Sequence, residues 1–270
     1  MNSNNRRMKT IIPALFFLCV FIDPIFSQDN FKVIKVNGTI LLKTNGVSLE
    51  TGTVFSEKED LLFRSEDATA AVINSQRGRL ILTSKNHDLS KASSNYLPSM
   101  YNISTRGIPT GTLVDLKNQF SDRYVVLEKQ YLPINSSNFP MDNNHFFFLR
   151  YIYKGEEINK KLSFRGDTLI LDKENLYTVD GNQIPNPDNT AITLFYMKGS
   201  EYVLINNFNL IFPDLKQLTK EVQIILDEIK EKPVREKMGE VDSFIKEFYG
   251  NVHRDNLISW LKSSFGIKAD

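Results

Sequence analysis

The chain has 270 residues, 41% hydrophobic and 24% charged, with a formal net charge of +1. That is ordinary globular composition, with room for one large or two modest domains. So even a balance gives no electrostatic footprint for nucleic acid or an anionic membrane surface.

The first predicted element is a secretory leader over residues 1–27. Arg6, Arg7 and Lys9 precede an apolar run from Ile11 to Ile22, followed by Asp23-Pro24 and Ile25-Phe26-Ser27. A basic head, a short apolar run and a small residue before a polar stretch describe a signal peptide, with cleavage expected after Ser27. The run is too short for a spanning helix, which takes about twenty apolar residues. Met8 would serve equally well as the start, since Lys9 supplies the charge. The only cysteine, Cys19, lies inside the run. Leu18 before it is too bulky for a lipobox, which sets acylation aside. Losing the leader removes three cations and one anion, taking +1 to −1. What remains has no cysteine, hence no thiol nucleophile, disulfide or cysteine-ligated metal. The expected location is the periplasm or outside the cell, with no transmembrane span after cleavage. Sequons at Asn37, Asn102 and Asn135 would matter only in a eukaryotic secretory pathway.

Residues 28–84 predict a small β unit. Phe31, Val33, Ile34 and Val36 lead to Asn37-Gly38, and Thr39 to Leu42 lead to Asn45-Gly46. Asn-Gly between β-prone runs is a hairpin signal, because a type I′ turn needs positive φ at both central residues. Gly52 interrupts the next run; Leu61–Phe63, Ala70–Ile73 and Leu80–Leu82 give three more strands, with Arg77-Gly78 turning between the last two. Five or six strands in so short a stretch predict a rolled sheet or barrel. The positions Val36, Gly38 and Ile40, Leu49 with Gly52, Asp60-Leu61 with Phe63, Ala68, Ala70 and Val72, and Gly78 with Leu80 resemble the FecR-like domain of bacterial cell-envelope proteins. The resemblance covers about residues 31–83 and implies a β fold, an envelope setting and no catalytic residues. Iron-responsive members carry the domain on a membrane-spanning signalling protein, a role that a chain without an internal span does not inherit.

Residues 85–111 turn to Ser, Asn, Lys and Pro and predict a linker or long loop. Residues 112–212 predict a second β-rich domain. A short helix is expected over Leu113–Phe120, with strands at Tyr124–Leu127, His145–Tyr153, Ile158–Phe164, Thr168–Leu171, Leu176–Val179, Ala191–Met197 and Tyr202–Ile205. The run His145–Tyr153, apolar on both faces at first, predicts a central strand buried on both sides. The weaker alternatives are an aromatic partner-binding surface, or an edge at Phe146–Leu149 that pairs with a neighbour. Residues 213–270 predict amphipathic helices docked onto the sheets. One is capped by Asp214 and stopped by Pro233, the next is closed by Gly250, and the last ends at Gly266. The expected fold is therefore mainly β with α at the C-terminus (α+β).

The chemistry is sparse. His87, His145 and His253 are scattered and lack the partners of a helical zinc site. His145 is expected to be structural and His253 to cap the last helix. No G-x-S-x-G elbow, P-loop or G-x-G-x-x-G occurs. Asp172 and Glu174 would share one strand face, with Asp180 beyond, an arrangement that could bind Ca²⁺ but is more often merely solvated. Glu59-Asp60 and Glu156-Glu157 are adjacent and cannot by themselves form a glycosidase dyad. No catalytic, cofactor-binding or metal residue is therefore assigned, and no cofactor. The expectation is an exported bacterial cell-envelope protein of non-enzymatic binding or structural type. Its partner would be another envelope protein or a glycan, contacted through the loops Asn135–Asn144 and Asn182–Asn189. The alternative is an extracytoplasmic hydrolase whose acids meet only in the fold.

Overall fold

The computed structural model describes residues 30–87, 111–185 and 191–268. The expected leader with Cys19, most of the expected linker, Asn102 and the far end of the Asn182–Asn189 loop lie outside them. Of the described residues 42% are in strands and 25% in helices, with three of the five helices closing the chain, so the fold is mainly β with α at the C-terminus.

The first unit comprises β1 (Asn30–Asn37), β2 (Ile40–Leu42), β3 (Val54–Ser56), β4 (Leu61–Phe63), β5 (Thr69–Asn74) and β6 (Gly78–Thr83). Four strands form a sheet in the order β3-β1-β5-β6, and β2 pairs with β4 in a second small layer. Asn45-Gly46 turns as expected, with Leu42 N–H donating to Val47 O and Leu49 N–H to Ile40 O. Asn37-Gly38 does not make a hairpin, because β1 spends both edges on β3 and β5. It is a corner instead, taking the chain from one layer to the other. Gly38 has φ +76°, and a Cβ there would lie 3.0 Å from Ala68 Cβ, so both conformation and space favour glycine.

The sheet is buried on both faces. Phe31, Val33, Ala70, Val72, Leu80 and Leu82 pack toward β2 and β4. Ile34, Ala71 and Ile73 belong to a different core that they share with the C-terminal helices. A register shift in β1 between Val33 and Lys35 lets Val33 and Ile34 both turn inward. This explains why Ala70–Ile73 is continuously apolar rather than alternating.

The second unit begins with α1 (Leu113–Gln119), whose Thr112 and Asp115 form a capping box. Then come β7 (Arg123–Val125), β8 (Lys129–Pro133), β9 (His145–Tyr153), β10 (Glu156–Lys161), β11 (Ser163–Arg165), β12 (Thr168–Asp172), α2 (Lys173–Leu176), β13 (Thr178–Val179), β14 (Asn182–Gln183), β15 (Ala191–Lys198) and β16 (Glu201–Ile211). The chain closes with α3 (Leu215–Glu228), α4 (Val234–Phe248), β17 (Asn251–Val252) and α5 (Arg254–Phe265). The large sheet runs β10-β9-β15-β16-β7-β17, and β11-β12-β8 forms a three-stranded sheet across its inner core. β7 is parallel to both β16 and β17.

Asp214 accepts from the N–H groups of Lys216 and Gln217 and caps α3 as expected. Pro233 does not stop that helix. α3 ends at Glu228, and Pro233 stands at the N-cap of α4, where its missing N–H costs nothing. The helices fill the space between the two β units. Leu218, Val222, Ile225, Val241, Phe244, Ile245, Leu257 and Trp260 meet Ile34 and Ile73 of the first sheet and Val125 and Leu127 of the second. Two buried ionic clusters reinforce this joint. Lys35 on β1 reaches Glu221 on α3 at 3.1 Å, while Tyr249 and Gln217 donate to the same carboxylate. Arg79 on β6 pairs with Glu240 and Glu247 of α4.

Candidate functional site

On the large sheet, β9 alternates as the pleat demands. Phe147, Leu149, Tyr151 and Tyr153 point into the core; Phe146, Phe148, Arg150 and Ile152 point outward. The ladder aligns Phe148 with Phe195 on β15 and Lys161 on β10, Phe195 with Leu204 on β16, and Phe146 with Met197, which in turn faces Tyr202. Arg150 lies opposite Asn159 on one side and Thr193 on the other. These residues make up one outward face.

Its floor is aromatic. Phe148 and Phe195 stack with centroids 5.0 Å apart, and Tyr202 meets both edge-on. Neither phenylalanine belongs to any of the three cores, yet both are buried, because ring neighbours and cations cover them. The Arg150 guanidinium lies 4.7 Å from the Phe195 centroid and 5.6 Å from that of Tyr202. Asn159 Oδ1 accepts from Arg150 Nε at 2.8 Å, and Glu157 pairs with Arg150 at 3.1 Å. Lys161 sits 4.2 Å over Phe146. Between them lies a shallow cavity of 390 Å³ lined by Phe146, Phe148, Arg150, Asn159, Lys161, Met197 and Tyr202. Ile152, Tyr202 and Leu204 complete the face with about half of their surface exposed.

This arrangement modifies the reading of His145–Tyr153. Phe147–Leu149 are buried, but the outer half of that burial comes from a layer of rings and cations on the sheet. β9 also lies between β10 and β15, so Phe146–Leu149 is an interior segment and cannot serve as a pairing edge. Sequence reasoning missed Phe195, Met197, Tyr202, Asn159 and Lys161, which come from three other strands. The one available signal was the run Tyr202-Val203-Leu204, three apolar residues together in a strand with few charges.

The other singled-out residues do not converge. His145 pairs with Asp142 at 3.0 Å in the loop before β9. The backbone N–H of Asn144, then the His145 side chain, hold the Asp142 carboxyl below its usual range. His253 caps α5, its Nδ1 accepting from Asp255 N–H, and burial lowers its pKa below the ordinary value. The His87 ring lies 5.3 Å from that of Phe63. Asp172 and Glu174 do not share a strand face. Asp172 is the N-cap of the one-turn helix α2 and pairs with Lys129 at 2.6 Å. A capping carboxylate that already holds an ammonium is a poor start for a Ca²⁺ site. Glu59 accepts from Thr44 and Asp60 from Lys43, in a turn rather than a strand. Glu156 and Glu157 alternate along β10 as expected. Among the described residues no group of three or more His, Cys, Asp or Glu could hold a metal, and no helix is long and apolar enough to cross a membrane.

No family model, no curated protein and no solved structure matches the chain.

Proposed function

We propose that this protein is an exported, non-enzymatic binding protein of the bacterial cell envelope, and that the outer face of its large sheet holds a protein partner. The observation that carries this reading is that face: stacked Phe148 and Phe195, half-exposed Ile152, Tyr202 and Leu204, and Arg150 fixed above the rings. Tyr, Phe, Met and Arg are the residue types enriched in interface centres, and an arginine already pinned by Asn159 and Glu157 loses little further freedom on binding. In this reading residues 31–83 are a FecR-like unit, a proposal resting on the glycine and apolar pattern. The leader at residues 1–27 supports export. A hydrolase would need two free carboxylates about five to ten ångströms apart in a cleft. Glu240 and Glu247, two acids that share one neighbour, are both engaged by Arg79.

A photo-crosslinking residue placed at Ile152, and separately at exposed Lys262 on α5, tests the face in envelope extracts. The reading expects a discrete protein adduct from position 152 and none from 262. Equal labelling at both positions, or retention on an envelope glycan with no protein adduct, overturns it.

A further inference from the structure

The two long edges of the outer face are treated differently. β10, at one end of the large sheet, shows solvent Glu156, Glu157 and Lys161, and charges on an edge oppose pairing with another chain. At the other side, among the described residues, β16 is covered only in its second half. Asn209–Ile211 pair with β7, and the Asn206 amide donates to the carbonyls of Lys117 and Phe120 at the end of α1. Among the described residues, Glu201–Leu204 have a ladder partner on one side alone, β15, and Ile205 sits at a bulge in that ladder. Three successive apolar residues lie in that open half, with Tyr202 52%, Val203 45% and Leu204 48% exposed. A row of unpaired backbone groups flanked by apolar side chains is a template for another strand.

We propose that two copies of this chain pair along the open half of β16, antiparallel about Val203, so that each copy adds Tyr202 and Leu204 to the other's aromatic face. The segment is self-complementary. In this register Tyr202 stands opposite Leu204 of the second copy, two apolar residues on the outer face, and Val203 stands opposite its own equivalent. Glu201, the only charged residue in β16, stands opposite Ile205. The two Glu201 carboxylates are thus four residues apart, about 13 Å, and no like charges face one another. Glu201 shares its side of the sheet with Val203 and Ile205, the side on which α1 packs through Leu116. There Lys117 lies in the last turn of α1, beside Asn206, and offers each incoming Glu201 an opposite charge. One turn back along α1, Val114 is 63% exposed and extends the apolar contact. A foreign strand would satisfy the backbone groups equally well, but the charge pattern of β16 already fits its own copy. Five paired residues and one helical turn make a small interface, so the dimer is micromolar and concentration-dependent. It stands independently of what the face binds.

Sedimentation equilibrium of the purified protein over a range of concentrations tests this directly. The wild-type mass should rise toward twice the monomer. Val203→Lys, which sets two ammonium groups opposite one another at an already half-exposed position, should stay monomeric while melting like wild type. Ile152→Lys, on the same face but away from the edge, should dimerise normally. Hydrogen exchange supplies a second readout without any substitution: those amides of Tyr202–Leu204 that point away from β15 should exchange about ten-fold more slowly at the dimeric concentration. A wild type that is monomeric throughout, a Val203→Lys protein that dimerises as wild type does, or edge amides whose exchange is indifferent to concentration overturns the proposal.

Discussion

Replacing Lys35 by methionine removes the cation from the joint between β1 and α3 and keeps nearly the same shape. Glu221, with 0% of its side chain exposed, is then left with two neutral donors, Tyr249 and Gln217. A charge pair at 3.1 Å has a gross attraction of about 5 kcal/mol at an effective dielectric near 20. Lys35 retains 17% exposure, so part of that is screened. Orphaning one partner of a buried pair costs about 3–5 kcal/mol, and the screening argues for the lower end, about 3 kcal/mol. Glu221→Leu alone should cost about 2 kcal/mol, because the freed ammonium can reach water while Tyr249 and Gln217 lose their acceptor. Combining the two removes both charges together. The double variant should therefore fall well short of the summed cost, with a coupling energy of at least about 1 kcal/mol. Denaturant unfolding of the four proteins, followed by far-UV circular dichroism, measures all three numbers. A Lys35→Met cost below about 1 kcal/mol would mean that the pair behaves like a surface ion pair and that the burial argument is wrong. Strict additivity would equally refute the idea that the two charges depend on each other.

Gly250 has φ +132°, and a Cβ there would collide with the carbonyl oxygen of Arg123. Gly250→Ala should displace β17 from β7 and cost at least about 3 kcal/mol, read as a drop in melting temperature; an unchanged midpoint would contradict the close approach. Burial lowers the pKa of His253. The folded chain therefore keeps this histidine neutral while the unfolded chain takes up its proton first, so stability is present above the ordinary value and declines as pH falls toward the lowered one. His253→Asn keeps a cap without the titration and should flatten the change in melting temperature between about pH 8 and about pH 5; a slope as steep as wild type would remove His253 from the explanation. Arg150→Met should cost about 1 kcal/mol, since it gives up a partly exposed ion pair and a cation over the rings while the apolar stem is kept, yet abolish crosslinking from position 152. Retained crosslinking would show that the guanidinium plays no part in binding.

The helices were legible because their ends carry unambiguous chemistry. Asp214 offers a carboxylate to exposed N–H groups, and Gly266 takes the left-handed conformation that ends α5. The strand Ala70–Ile73 was legible as well, since an unbroken apolar run can be satisfied only by cover on both faces. Asn37-Gly38 misled because a glycine with positive φ fits a corner between layers as readily as a hairpin, and only the pairing of β1 with β5 decides between them. β8 was missed because Lys129-Gln130-Tyr131 reads as polar, although Gln130 is buried against Tyr124. The aromatic face was least legible. Its members are drawn from β9, β10, β15 and β16, and no local period records which rings will share a side. In β9 the inward and outward rings are both phenylalanine, so Phe147 and Phe148 look alike until neighbouring strands are in place.

The joint between the first sheet and the helices has a consequence for the order in which the chain can be completed. Lys35 and its partner Glu221 are 186 residues apart. A ribosome adding about 5–20 residues each second leaves roughly 10–40 s between the two. Throughout that interval Ile34, Ala71 and Ile73 face a space that α3 and α4 have yet to fill. Contacts so distant along the chain close late, which slows folding and holds back the final cooperative step until α3 and α4 are present. The growing chain thus stays open until its last helices arrive, and a truncation before α3 would leave one face of its first sheet bare.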